Sequence, residues 1–158
     1  MRVNHSHHHV PPIVIMGVAG AGKTDVGSML ADRLGVDFMD GDDLHPQANI
    51  DKMTSGHPLN DKDRRPWLTN IAAWLAEHAD NGAVVACSAL KRIYRDQLRQ
   101  VCPDLVFIHL AGDRKVVAAR VEARAGHFMP ASLIDSQYAT LEPLAANEVG
   151  ITVDFDAP

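Results

Sequence analysis

The chain has 158 residues, 46% hydrophobic and 22% charged, with a formal net charge of −5 at pH 7. That length suits one domain around one core, and the composition excludes a disordered or fibrous chain. The acidic balance excludes a general nucleic-acid coat, yet leaves room for a local basic pocket. No apolar run reaches the roughly 18 residues of a membrane span, and no signal-type apolar stretch opens the chain, so neither membrane insertion nor secretion is expected. Two cysteines, Cys87 and Cys102, form no CxxC pair, which suits a reducing, cytoplasmic setting.

Residues 1–12 read as a His-rich arm, with His5, His7, His8 and His9 ahead of Pro11 and Pro12. A metal-binding tract is one reading; a tail or expression-tag remnant is the favoured one. Ile13–Met16 is a short apolar run ending in Gly-rich sequence, a buried strand. A helix is predicted from Thr24 to Leu34, on the spacing of Val26, Met29, Leu30 and Leu34, with Gly35 stopping it. Val36–Met39 is the second strand, closed by Asp40-Gly41-Asp42. A short helix follows from His45 to Met53, then a loop containing Gly56, Pro58 and Asn60. Trp67, Leu68, Ile71, Trp74 and Leu75 give one face of a helix from Asp63 to about Ala79. Ala83–Cys87 is the third strand, Lys91–Val101 a basic helix, and Leu105–Leu110 the fourth strand. Helices are predicted over Asp113–Arg124 and around Ser132–Leu141, and a fifth strand over Ile151–Phe155. Apolar strands alternating with helices imply a parallel sheet covered on both faces. Ligands of such sheets sit beyond the carboxyl ends of the strands.

Gly17-Val-Ala-Gly-Ala-Gly22-Lys23-Thr24 matches GxxxxGK[ST] in full, after a strand and before a helix. Glycines there let backbone N–H groups turn toward phosphate oxygens, and the helix N-terminus adds partial positive charge. Lys23 can reach the β- and γ-phosphates, and the Thr24 hydroxyl can ligate Mg²⁺. Binding of ATP or GTP is the firmest inference from sequence.

Asp40, Asp42 and Asp43 crowd the end of the second strand. One carboxylate can orient Mg²⁺ through water, and another can accept a proton from an attacking hydroxyl. A solvated acidic turn with Asp43 as a helix cap is the competing reading. Asp42 is the better base candidate, because Asp40 still belongs to the strand beneath the phosphate loop. Arg64 and Arg65 open the long helix. Lys91 and Arg95 lie four apart on one helix face, where they can hold a substrate carboxylate. Arg120 and Arg124 precede Ala125-Gly126-His127, and suit a lid that closes over the nucleotide.

The chain resembles the thermoresistant-type gluconokinases among the P-loop small-molecule kinases, from about Ile13 to Pro158. The specific matches are Asp40-Gly-Asp42-Asp-Leu44-His45-Pro46 with Asn49 and Lys52-Met53, Gly56-His-Pro58-Leu59-Asn60-Asp61, and Asp63-Arg64-Arg65-Pro66-Trp67-Leu68. Cys87-Ser88-Ala89-Leu90-Lys91 and Gly126-His127-Phe128-Met129 continue the pattern.

The resemblance implies a three-layer αβα fold with a five-stranded parallel sheet, a mobile lid over about residues 125–142, and a homodimer. It implies transfer of the ATP γ-phosphoryl group to the 6-hydroxyl of D-gluconate, with Mg²⁺. Gly17, Ala19, Gly20, Ala21, Gly22, Lys23, Thr24 and Asp25 would hold the nucleotide, together with Arg120 and Arg124. Thr24 and Asp40 would serve the metal. Lys23, Asp42 and Arg124 would be catalytic. Asp42, His45, Arg64, Lys91, Arg95 and His127 would hold the sugar acid. Ala19 and Ala21 stand where relatives often carry serine. The chain stops just after the fifth strand, where relatives continue into a further helix, so a missing C-terminal helix is expected. Two alternatives remain: another small-molecule kinase, acting on shikimate or a nucleoside monophosphate, and a nucleotide-dependent binding protein without turnover.

Overall fold

Five short runs of mostly apolar residues pair into one sheet in the computed structural model, which describes residues 10–57, 59–112, 115–117, 119 and 131–154. The strands are β1 (Pro12–Met16), β2 (Asp37–Asp40), β3 (Ala83–Ala86), β4 (Val106–Ala111) and β5 (Gly150–Asp154). Their order is β2-β3-β1-β4-β5, and every pairing is parallel. β1 lies at the centre, with Ile13 between Val84 of β3 and Val106 of β4. All five of its residues are buried, which is why that run shows no polar alternation.

The helices are α1 (Lys23–Leu34), α2 (Gln47–Thr54), α3 (Asp61–His78), α4 (Arg92–Val101) and α5 (Ala131–Thr140), with a 3₁₀ turn at Gly41–Leu44. Residues 115–117 are also helical. Two apolar clusters sit on opposite faces of the sheet. One gathers Val14, Met16, Val85 and Phe107 with Trp67, Leu68, Ile71 and Leu75 of α3 and Leu98 of α4. The other gathers Ile13, Ile15 and Val84 with Ala31 of α1, Val117 and Ile134 of α5. Alternate strand residues therefore feed two cores, as the period of two in a strand requires. The three-layer αβα expectation holds.

Several boundaries move. α3 begins at Asp61, two residues before the predicted start, because Asn60 caps it. The Asn60 side chain accepts the Asp63 N–H at 2.8 Å, while Asp63 accepts the Asn60 N–H at 2.9 Å. This reciprocal capping box is readable as N-x-x-D. The predicted cap at Asp43 is corrected: Asp40 caps the 3₁₀ turn, accepting the Asp42 N–H at 3.0 Å. The arm is also shorter than predicted, since Pro12 already pairs with Ala83. α5 lies within the range expected for the lid, yet its Ile134 is buried against the sheet. Residues 120–130, which include Arg120, Arg124 and His127, lie outside the described residues, as does the arm before Val10.

Candidate active site

The carboxyl ends of β1, β2 and β3 bring three loops together. The first is the phosphate loop between β1 and α1. Gly17 takes φ +152°, and a Cβ there would meet the Leu110 carbonyl at 2.8 Å, so only glycine passes beneath β4's end. Gly22 takes φ 95° and ψ 21° as the N-cap of α1, a left-handed conformation that glycine adopts without strain. The loop thus turns sharply into a helix N-terminus, the geometry that presents N–H groups to an anion. The Lys23 ammonium bridges the loop, donating to the Val18 carbonyl at 3.0 Å. Asp25 lies in the first turn of α1 with an exposed side chain, so contact with the nucleotide would fall to its backbone.

The second loop starts at Asp40. One Asp40 oxygen accepts the Thr24 hydroxyl at 3.0 Å, and the other accepts the Asp42 N–H at 3.0 Å. This carboxylate ties the start of α1 to the acidic turn. Thr24 and Asp40 supply hard oxygen donors side by side at the helix N-terminus, which fits Mg²⁺. The Asp42 side chain is 80% exposed and open to a substrate. Desolvation among the surrounding groups raises its carboxyl pKa, Lys23 lowers it, and Asp40 and Asp43 raise it further. The upward direction is also what two neighbouring carboxylates require.

His45 is held by its neighbours on the acidic turn. Its side chain is only 5% exposed, and its ring stacks on Trp67 with centroids 4.3 Å apart. The Asn49 amide reaches Nδ1 at 3.2 Å and also donates to the Asp63 carbonyl at 2.9 Å. With that amide donating, Nδ1 is the acceptor and Nε2 carries the proton. Burial, helped by Arg64, lowers the pKa to about 4. His45 is therefore neutral near pH 7 and cannot hold a carboxylate by charge. Its Nε2 lies 3.9 Å from Asp42.

The third loop, between β3 and α4, meets the start of α3. Arg64 donates to the Leu59 carbonyl at 2.5 Å and to the Tyr94 hydroxyl at 3.1 Å. Lys91 donates to Asp61 at 2.9 Å, and the Tyr94 hydroxyl donates to the same oxygen at 2.5 Å. Hydrogen bonds from Tyr94 and Lys91 hold the Asp61 carboxyl below its usual range. The Asp61 hydrogen bond raises Lys91 in return. Two cations facing one internal carboxylate leave one net positive charge, which suits one acidic ligand. The buried Cys87 thiol lies beneath this convergence. Burial first of all raises it to about 12, and it senses Asp42, Lys23 and Arg64 together. Both cysteines are free and buried.

Arg95 is a correction. It is fully buried and paired with Glu148, at 2.7 Å from Nε and 3.0 Å from Nη2. Its Nη1 donates to the Ala89 carbonyl at 2.8 Å. Ala89 takes φ 43°, a left-handed conformation that costs a non-glycine residue about 1–2 kcal/mol. Arg95 braces that strained turn just ahead of Lys91 and does not face a substrate. Sequence spacing put Lys91 and Arg95 on one face, but the buried carboxylate that claims Arg95 lies 53 residues away. Asp61 and Tyr94 carried no assigned role in the sequence reading. The signal for Tyr94 was its place three residues after Lys91, one helical turn on.

The fold and its phosphate loop are those of a P-loop small-molecule kinase. The shikimate kinase family model matches residues 19–144. Full-length similarity is narrower in kind. The thermoresistant gluconokinase of Escherichia coli K12 is 46% identical over 158 residues, covering 98% of this chain and 89% of that protein. The gluconokinase of Gluconobacter oxydans 621H is 51% identical over 143 residues, covering 89% and 80%. The crystal structure of a gluconokinase from Sinorhizobium meliloti 1021 superposes with a TM-score of 0.87 at 46% identity, covering 95% of this chain and 85% of that one. The chain belongs to the gluconokinase family.

Proposed function

We propose that the protein phosphorylates D-gluconate at its 6-hydroxyl, using ATP, to give 6-phosphogluconate and ADP. The observation that carries this reading is the Arg64–Lys91–Asp61–Tyr94 cluster, a group of side chains of net charge +1 on the same sheet end as the phosphate loop. Gluconate supplies one carboxylate for that charge and many hydroxyls for the surrounding polar groups. The N–H groups of Gly17, Ala19 and Ala21 bond to Ser88, Gln137 and Val18, so other backbone N–H groups of the loop would cradle the triphosphate, with Lys23 on its outer phosphates. Thr24 and Asp40 would hold Mg²⁺, which when bound neutralises charge on the β- and γ-phosphate oxygens.

Arg64 and Lys91 would fix the gluconate carboxylate and so aim its far end at Asp42. The acceptor hydroxyl ionises far above pH 7, so it needs positioning and a base at the moment of attack. Asp42 takes the O6 proton as the O6–phosphorus bond forms and the bond to the ADP oxygen breaks. Arg120, Arg124 and His127 keep their proposed parts, the arginines on the nucleotide and the histidine on the sugar side. A homodimer and a cytoplasmic location belong to the same proposal. No described helix is long and apolar enough to cross a membrane.

The test is ADP release from Mg-ATP with gluconate, glucose, shikimate and AMP offered in parallel. Gluconate-dependent release alone is expected. Turnover of shikimate or AMP in its place would assign a different kinase, and silence on the whole panel in an ATP-binding protein would favour a binding function.

A further inference from the structure

The C-terminal end of α5 and the residues just after it reach all three loops that follow the central strands. Gln137 Oε1 accepts the Ala19 N–H of the phosphate loop at 2.6 Å. The neighbouring Tyr138 hydroxyl donates to the Gly112 carbonyl after β4 at 2.9 Å. Glu142 brackets Lys91: its N–H donates to the Leu90 carbonyl at 2.7 Å, and its carboxylate accepts the Arg92 N–H at 2.9 Å. The stretch from Gln137 to Glu142 thus holds the nucleotide loop at one end and the cationic loop at the other. Ile134 anchors the segment in the core.

We propose that Gln137 is a positioning residue for the phosphate loop and that Glu142 is its counterpart for the Lys91 loop, the two acting as ends of one strap. The inference rests on the kinase reading of those loops. Ala19 and Ala21 do not turn their N–H groups inward: Gln137 takes the first, and the Val18 carbonyl takes the second at 3.2 Å. Those two bonds fix the outer wall of the loop, so that the remaining backbone curves around the anion. Anion binding by backbone dipoles depends on the donors being held in place beforehand. A wall that loses its Gln137 bond samples other turns, and nucleotide binding must then order it. Glu142 acts likewise on Lys91, whose direction is set by the backbone of Leu90 and Arg92.

The test is a pair of substitutions read by direct titration. Gln137→Met keeps the side chain's bulk and removes the acceptor. It should weaken binding of ADP, measured without any acceptor substrate, by about fivefold, the worth of one neutral hydrogen bond. It should also speed hydrogen exchange at the Ala19 amide. Glu142→Ala should weaken gluconate binding by a similar factor and leave ADP binding unchanged. Both variants should keep a cooperative thermal transition close to the parent's. If Gln137→Met does not fold, Gln137→Asn, one methylene too short to reach Ala19, carries the same prediction. ADP affinity equal to the parent's in the folded Gln137 variant would overturn the proposal. So would equal weakening of both ligands by both variants, since that is general loosening. The ADP arm needs no gluconate, so failure of the parent to bind gluconate would count against the substrate assignment alone.

Discussion

Glu148→Gln isolates the buried ion pair that replaces the predicted role of Arg95. Both side chains are 0% exposed. Glu148 accepts two bonds from Arg95, one from Arg99 and one from the Ala145 N–H. The amide keeps the shape and removes the charge, so the buried Arg95 guanidinium loses its anion and Arg99 keeps only Asp96. Breaking a buried pair from one side costs about 3–5 kcal/mol. For a chain of this size, that lowers Tm by roughly 6–20 °C. The surface control is Asp96→Asn, which removes the charge from half-exposed pairs with Arg99 and Arg92 and should cost under about 1 kcal/mol. Urea and thermal denaturation measure both. Acid adds a second readout. Burial opposes ionisation of Glu148, but Arg95, the Ala145 N–H and Arg99 outweigh it and hold the carboxyl at about 2, against an ordinary value of 4.5. A carboxyl depressed on folding stabilises fully above its unfolded pKa. That contribution fades as pH falls from about 4.5 toward 2. Glu148→Gln should remove this part of the acid dependence. A loss no larger than the Asp96→Asn control's would refute the reasoning.

Three further outcomes follow from the site. Asp42→Asn should lower kcat roughly 10²–10⁴-fold and leave nucleotide binding unchanged; steady-state kinetics beside ADP titration separates the two. Lys91→Ala should raise the KM for gluconate roughly 10–100-fold, the worth of one charge-assisted hydrogen bond, with the KM for ATP unchanged. Asp40→Asn weakens the hold on Thr24 and should raise the Mg²⁺ concentration for half-maximal rate about tenfold or more, read from a metal titration of an EDTA-stripped sample.

Much of the fold was legible because its signals are local. β1 is an unbroken apolar run, α3 carries its apolar stripe at helical spacing, and the phosphate loop occupies eight consecutive residues. Asp40, Asp42 and Lys91 could be placed because a parallel sheet brings the ends of its strands together. What escaped depends on distant partners. Arg95 shares a helix face with Lys91 and so reads as a substrate-binding cation, while Glu148, which claims it, lies far along the chain. The stacking of His45 on Trp67 likewise joins residues that are distant in sequence. Gln137 lies in a predicted helix and Glu142 just beyond it, but only packing of α5 onto the sheet reveals their reach. The capping box at Asn60 was local and readable, and it would have set the start of α3 correctly.

The most direct measurement is the identity of the product. ATP, Mg²⁺ and ¹³C-labelled D-gluconate are incubated with the protein, and the mixture is followed by ³¹P and ¹³C NMR. The account predicts one new phosphomonoester, coupled to carbon 6 and growing in step with ADP. A phosphoryl group on any other carbon, or unchanged gluconate beside protein that binds ATP, would contradict it.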